Sequence, residues 1–435
     1  MSVDVRKIAL ELLRSYELEG RYVNLLLSSP KVSSLGRDDK AFLTTLLYTS
    51  VENKLKYDYL ICKLSKRSMD SVDPFVRDVL RIGMCQILDM SSIPDFAAVN
   101  ETVKLARHNG ERAFINAVLR ETVRVKDSLP YPDRAKNEAR YLSVRYSVPL
   151  ATVKLLSSIV GEDTEKLLSA FAEKSALSLT VNTRKVSRDE LISRFAELGA
   201  RPSRFSPNGI ELEKSVSPTV LDGFERGEFF VQDEASRVEA MALDAKEGDV
   251  IIDVCAAPGG KTLAAAISVG DKGRVYSFDL HASKLSLIED SVKRLCLGSV
   301  TVAQRDATDP DEALFGIADR VICDIPCSGL GVIGKKPDLR YKELSSADEL
   351  VPLQREILKC SAKYLKVGGI MVYSTCTLNP AENEGVVSAF LSENPDFSLV
   401  PFAPRGVVSD AVGVTLMPHV HGTDGFYIAK LRKNK

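Results

Sequence analysis

Val5, Ile8, Ala9, Leu12, Leu13 and Tyr16 fall at i, i+3, i+4, i+7, i+8 and i+11, one face of a 3.6-residue helix. Val76, Val79, Leu80, Gly83, Met84 and Ile87 repeat that spacing, and further helical runs cover about 38–62, 96–108 and 111–125. Gly, Pro and Ser punctuate them, so residues 1–140 read as an all-α domain with SLPYPDRAK (128–136) as its exit. From 176 the spacing changes. LSLTVNTRK alternates like a strand, SRDELISRFAELGA reads as a capped amphipathic helix and NGIELEK as another short strand. This predicts a helical linker and a small α+β module over 141–236. From about 247 strands alternate with helices: DVIIDVCAA, KTLAAAISVG, RVYSFDL, ASKLSLIEDSVKRLC, SVTVAQRDA, DRVICDIPC, LVPLQREILKCSAKYL and GGIMVYSTC, with GFYIAKLRK as a last edge strand. Nearly continuous Val/Ile strands joined by crossover helices predict a doubly wound, mostly parallel sheet over 237–435. Ligands in that architecture lie beyond the carboxyl ends of the strands.

Composition narrows the setting. The 435 residues are 45% hydrophobic and 27% charged, an ordinary globular balance. No apolar run reaches the roughly 18–20 residues that span a bilayer, and MSVDVRKIALELLRS lacks the apolar centre of a signal peptide. Eight cysteines without a C-x-x-C pair do not form a disulfide framework, so a reducing, cytoplasmic location is expected. Net charge is −1, which argues against a general nucleic-acid coat. Residues 1–140 carry 23 Lys and Arg against 19 Asp and Glu, and the remainder 35 against 40. A mildly basic front allows phosphate contacts there, although chance explains so small an excess equally well.

DVCAAPGGKT (253–262) is a strand end, a turn of small residues and a helix start. Ala256, Ala257, Pro258, Gly259 and Gly260 let backbone approach a ligand, with helix N–H groups aimed at it, and Cys255 reads as loop packing or a backbone contact to that ligand. A phosphate-binding loop would need glycine where Cys255 stands, and the G-x-G-x-x-G dinucleotide fingerprint is absent. S-adenosylmethionine is the remaining candidate, its amino-acid end over the loop. Asp279 closes the next strand, where a carboxylate accepts ribose hydroxyls. Asp306 follows the third strand, within reach of an adenine amino group, and Asp324 ends the fourth. Each aspartate alone reads as a loop cap; three at successive strand ends read as a cofactor crevice.

Cys327 in DIPCSGLGV and Cys376 in YSTCTLNPAENE each follow a strand in a polar, turn-forming setting. Cys62, Cys85, Cys296, Cys323 and Cys360 read instead as small buried hydrophobes. A zinc site at Cys323-x-x-x-Cys327 would split its ligands between strand and loop, and His419 and His421 read as surface residues, so no metal is expected. Methylation of a pyrimidine carbon accounts for two thiols. C5 of cytosine is a weak nucleophile until a thiolate adds at C6, and the C5 proton must then be removed before the thiol departs. Asp324 is placed to hydrogen-bond N3 and the exocyclic amine, and Lys261 to supply positive potential. The chemistry alone leaves either thiol as the attacker.

DVCAAPGGKT, FDL, RDA, DIPCSGLGV and YSTCTLNPAENE, with FVQDEASR (230–237) before them, resemble the successive motifs of the Nop2/Sun/Fmu family of RNA cytosine-C5 methyltransferases. PFVRDVLRIGMCQILDMSSIPDFAAVNETVKLAR and RAFINAVLRE resemble the NusB-like RNA-binding domain of that family's bacterial 16S rRNA branch, the RsmB type. The resemblance spans nearly the whole chain. It implies a NusB-like domain, an RNA-binding α+β module and a Rossmann-like methyltransferase domain using S-adenosylmethionine. It further implies Cys376 as nucleophile, Cys327 as an aid to product release, and cofactor contacts from Cys255 to Lys261, Asp279, Asp306 and Asp324. The implied partner is 16S rRNA, naked or partly assembled, with the protein a monomer needing no membrane or protein partner. Methylation of tRNA, or RNA binding by an inactive methyltransferase fold, are the alternatives. Two departures stand out. Thr180-Val181-Asn182 replaces the family's Arg-Val-Asn, with Arg184 nearby, and GKKPDLRYK (334–342) carries Lys where relatives have Arg.

Overall fold

The computed structural model describes residues 4–173, 176–214, 216–409 and 411–435, with 346–348 described by their backbone alone. The chain forms two compact units, Met1–Ala172 with Lys336–Lys342, and Glu173–Lys335 with Glu343–Lys435.

The first unit is all helix. Its opening helix, Val5–Glu19, is capped by Asp4, which accepts from the Arg6 and Lys7 N–H groups, and ends at Gly20 in the left-handed region. The predicted face is the buried one, with Tyr16 half-buried beside it. The run 38–62 is two helices, Arg37–Glu52 and Lys54–Ser65; Asp95–Val103 and Asn109–Val125 match the remaining runs. Gly83, inside the helix Pro74–Asp89, has a packing reason, since a Cβ there would lie 2.7 Å from both Leu119 methyls. Arg81, 1% exposed, is held bidentately by Asp58 at 2.7 and 2.6 Å.

This unit continues past residue 140 through Glu138–Arg145, Leu150–Val160 and Thr164–Ala172. Ser147 Oγ accepts from the N–H groups of Leu55 and Lys56, tying the later helices to the earlier ones. The unit also takes in Lys336–Lys342. There the Arg340 guanidinium is buried against Glu52 at 3.3 Å, the Tyr341 hydroxyl donates to the Glu52 carbonyl and Asp338 caps the Val23 N–H. All of the GKKPDLRYK stretch but its first two residues is thus a structural part of the helical unit.

In the second unit, β1 (Leu177–Val181), β2 (Ala200–Pro202), β3 (Gly209–Leu212) and β4 (Phe229–Val231) form an antiparallel sheet in the order β2-β3-β1-β4. Leu191 of the helix Arg188–Arg194 and Phe195 at its end pack on Leu179, Val181, Ile210 and Phe229. Thr180 is buried and donates to Gln232, Asn182 is buried on the Gly227 carbonyl, and Arg184 is paired with Asp271.

The larger sheet contains β5 (Val250–Asp253), β6 (Arg274–Asp279), β7 (Val300–Gln304), β8 (Ala318–Asp324), β9 (Leu365–Thr375), β10 (Phe397–Leu399), β11 (Val414–Leu416) and β12 (Phe426–Lys433). Its order is β10-β12-β9-β8-β5-β6-β7, with β11 also on β12. The five strands from β9 to β7 are parallel, and β12 is antiparallel to β9. GFYIAKLRK is therefore not the edge strand it was expected to be: β10 and β11 cover its outer side. Short strands of this kind shield an otherwise exposed backbone ladder.

Candidate active site

The order β9-β8-β5-β6-β7 sets the carboxyl ends of the parallel strands in one row. Cys376 follows β9, Asp324 ends β8, the 253–262 loop leaves β5, Asp279 ends β6 and Asp306 follows β7. Thiol chemistry therefore falls at one side of the row and the expected cofactor contacts at the other.

The β5 loop is built for close approach. Gly259 has φ +107°, and a Cβ there would lie 3.3 Å from Ile288. The Ala256 N–H donates to the Phe278 carbonyl, and the helix Gly260–Val269 begins directly after the turn. Asp279 accepts from the Ala257 N–H through one oxygen and the His281 N–H through the other, so it shapes the loop while keeping lone pairs for a ligand. Asp306 is exposed; hydrogen bonds from the Thr308 N–H and hydroxyl hold its carboxyl below the usual range. Cys255 is half-buried against the core, and burial pushes its thiol up. A glycine cradle followed by a helix start, with carboxylates on the next two strand ends, fits the donor and acceptor pattern of S-adenosylmethionine.

Sequence reasoning missed Asp253. It is fully buried; one oxygen accepts from Thr262 Oγ1 at 2.7 Å, and the other has no hydrogen-bond partner among the described residues. Burial raises its carboxyl to about 7. The folded chain thus holds this proton more tightly than the unfolded one. That contribution to stability is complete only below the unfolded value of 3.8 and is lost progressively as pH rises from there through 7. Asp253→Asn keeps an acceptor for Thr262 and cannot ionise. Between pH 5 and 8.5, urea midpoints should move in favour of the variant by about 2–4 kcal/mol. Parallel pH profiles for the two proteins would count against the buried acid.

Lys261 lies between two carboxylates, with Nζ 2.5 Å from Asp324 and 3.2 Å from Glu239. Glu239, also unforeseen, is 1% exposed. Asp324 accepts from Ser374 Oγ through its other oxygen, so its direction is set from both sides.

The Cys327 and Cys376 sulfurs are 3.3 Å apart, both half-buried. The Gly331 N–H donates to the Cys376 carbonyl, and Gly331 has no room for a Cβ against Gly425. The contact with Cys376, burial, and the carboxylates of Glu382 and Asp324 push the Cys327 thiol up, and either sulfur can donate in the contact between them.

The other cysteines divide. Cys85, Cys323 and Cys360 are buried as expected, but Cys62 is half-buried and Cys296 is exposed, at the left-handed end of a helix and 3.4 Å from Lys185 Nζ. His421 is not a surface residue either: it is buried and accepts from the Met417 N–H at 2.7 Å. Cys296 and His421 lie at helix ends, where periodicity does not report exposure. Lys335 joins Asp424 at 3.0 Å to Asp233, which caps the helix Glu234–Leu243; this anchors the end of the Cys327 loop.

Among the described residues no helix is long and apolar enough to cross a membrane.

Three family descriptions match in series: NusB over residues 3–124, the ferredoxin-like domain of RsmF/B-like methyltransferases over 149–219, and 16S rRNA methyltransferase RsmB/F over 240–432. The probable ribosomal RNA small subunit methyltransferase B of Bacillus subtilis is 36% identical across 99% of this chain and 98% of its own length. The ribosomal RNA small subunit methyltransferase B of Escherichia coli O1:K1 is 31% identical across 99% of both. Among solved structures, PH0851 is similar over the full length of both chains, with a TM-score of 0.79 and 27% identity. NSun6 of Pyrococcus horikoshii, solved with SFG, covers 66% of this chain and 98% of its own, with a TM-score of 0.58 and 26% identity. With the cofactor cradle, the thiol pair and full-length similarity in agreement, the chain belongs to the RsmB/F family of 16S rRNA methyltransferases and uses S-adenosylmethionine.

Proposed function

We propose that this enzyme methylates a cytosine of 16S rRNA at C5, with Cys376 as the covalent nucleophile. The observation that carries the reading is the 3.3 Å contact between Cys327 and Cys376. A single thiol would suffice for addition; a second within hydrogen-bond distance serves both the charge state of the first and its departure. With the proton on Cys327, its S–H donates to Cys376, which carries the thiolate and adds to C6. Asp324, oriented by Lys261 and Ser374, accepts from the exocyclic amine of the base and so holds the ring in place for attack at C6. S-adenosylmethionine supplies an electrophilic methyl group for C5. In elimination the C5 proton leaves to water, the C5–H pair forms the C5=C6 bond, and the C6–S pair returns to Cys376. The Cys327 S–H receives that sulfur. Asp279, Asp306 and the loop Cys255–Lys261 hold the cofactor.

The target cytosine is unpaired or swung out, because C6 is unreachable inside a stack. Naked or partly assembled small-subunit RNA is the substrate, met by a cytoplasmic monomer without a protein partner. The mildly basic helical unit and the ferredoxin-like module supply phosphate contacts. The test is methyl-labelled S-adenosylmethionine with 16S rRNA fragments, intact small subunits or tRNA, followed by digestion to nucleosides. Label in 5-methylcytidine from 16S fragments, and not from intact subunits, is expected. Label on another atom, or from tRNA alone, would overturn the assignment.

A further inference from the structure

Glu382 lies in the loop that follows Cys376, and its residue is fully buried. Among the described residues no lysine or arginine forms an ion pair with it. Four donors meet its two oxygens instead. The Ser328 N–H and hydroxyl donate at 2.8 and 2.6 Å from the loop carrying Cys327. Gln354 Nε2 donates at 3.0 Å from the helix Ser346–Ala362, and Asn379 Nδ2 at 3.0 Å from the loop carrying Cys376. The Ser328 hydroxyl also meets Thr377 Oγ1 at 2.7 Å, one residue after Cys376. Gln354 further donates to the Pro326 carbonyl at 3.0 Å. Each neighbour of Cys327 is thus tied, directly or through Gln354, to one carboxylate.

A buried carboxylate without a cation is a costly way to join two loops, and apolar packing would join them with less loss of solvation. What a carboxylate adds is four converging acceptor sites and a negative charge next to Cys327. Both favour one arrangement, with Cys327 against Cys376 and the proton on Cys327. The Cys327 thiol is pushed up in part by this same Glu382 charge.

Resting on the covalent reading above, we propose that Glu382 is the positioning residue of the thiol pair. Through Ser328 it holds the Cys327 S–H on the Cys376 sulfur, so that Cys376 can leave C6 once the methyl group is in place. Glu382 touches neither base nor cofactor in this role.

The test uses the full chain, unmodified 16S rRNA fragments and S-adenosylmethionine, reading both the covalent RNA–protein band on a denaturing gel and the free methylated RNA. Glu382→Gln keeps the shape, removes the charge and turns one acceptor into a donor. Its covalent band should rise about tenfold over wild type while release of product falls by a similar factor, as in Cys327→Ala. Ser328→Ala, which removes a single hydroxyl, should show the same pattern to a smaller degree and serves if Glu382→Gln does not fold. Covalent band and product falling together in both variants would mean a merely structural role and would overturn the proposal. If Cys327→Ala accumulates the band and the Glu382 and Ser328 variants do not, the positioning role alone fails. If Cys327→Ala itself accumulates none, the assignment of the two thiols fails and the positioning role with it.

Discussion

Cys376→Ala is expected to abolish the covalent adduct with 16S rRNA fragments carrying 5-fluorocytidine and to lower methyl transfer by about 10⁴-fold or more, whereas Cys327→Ala is expected to keep the adduct. The fluorine cannot leave as a proton does, so attack at C6 is frozen after methyl transfer and survives a denaturing gel. This polarity is electrostatic in origin. Both thiols are half-buried at the ends of adjacent strands and touch at 3.3 Å, so they share one environment. Two anions at that distance repel strongly, and one proton stays between them. Glu382 and Asp324 raise the cost of a thiolate on Cys327, which on the proposed reading favours Cys376 as the attacking sulfur. Loss of Cys376 removes the step that makes C5 nucleophilic. The opposite gel, an adduct in Cys376→Ala and none in Cys327→Ala, would assign attack to Cys327 and reverse both roles.

The second large effect is expected at Lys261. Its side chain is 12% exposed and its ammonium is the cation shared by Asp324 and Glu239. Neither Glu239 oxygen has a hydrogen bond among the described residues, so the ion pair with Lys261 is what offsets its desolvation. Lys261→Met preserves the stem and leaves that carboxylate buried without its cation, at a cost of about 3–5 kcal/mol in unfolding free energy. Activity falls as well, because Asp324 loses the partner that aims it. Adding Glu239→Gln to Lys261→Met should recover about half of the lost stability and little of the activity, since Asp324 remains unaimed. Urea unfolding of the two variants at pH 7 measures the first, and methyl transfer the second. Equal stability of the single and double variants would show that Glu239 is not what Lys261 offsets.

Much of this arrangement was legible along the chain. The helix face of Val5 to Tyr16 is buried because a 3.6-residue repeat leaves an amphipathic segment one way to hide its apolar stripe. The strands preceding Asp253, Asp279 and Asp324 are parallel neighbours because Val/Ile runs separated by helices pair through crossovers. A small-residue turn between strand and helix marked the cofactor cradle for the same local reason. Relations between segments were not legible. GFYIAKLRK reads as a strand, but whether it is an edge depends on β10 and β11, short pieces too weakly patterned to recognise. Lys336–Lys342 carries no periodic signal, and its place in the helical unit rests on Arg340, Tyr341 and Asp338 finding partners hundreds of positions away.

The amino-acid sequence by itself determined the elements, the strand ends at which chemistry gathers, and which two of eight cysteines stand in polar turns, because periodicity and turn residues act over a few positions. Only the tertiary structure decided that those two sulfurs touch, that Lys261 serves Asp324 and Glu239 together, and that Glu382 ties the two thiol loops, because each contact requires strand order to bring distant carboxylates and their donors within about 3 Å in a place closed to water.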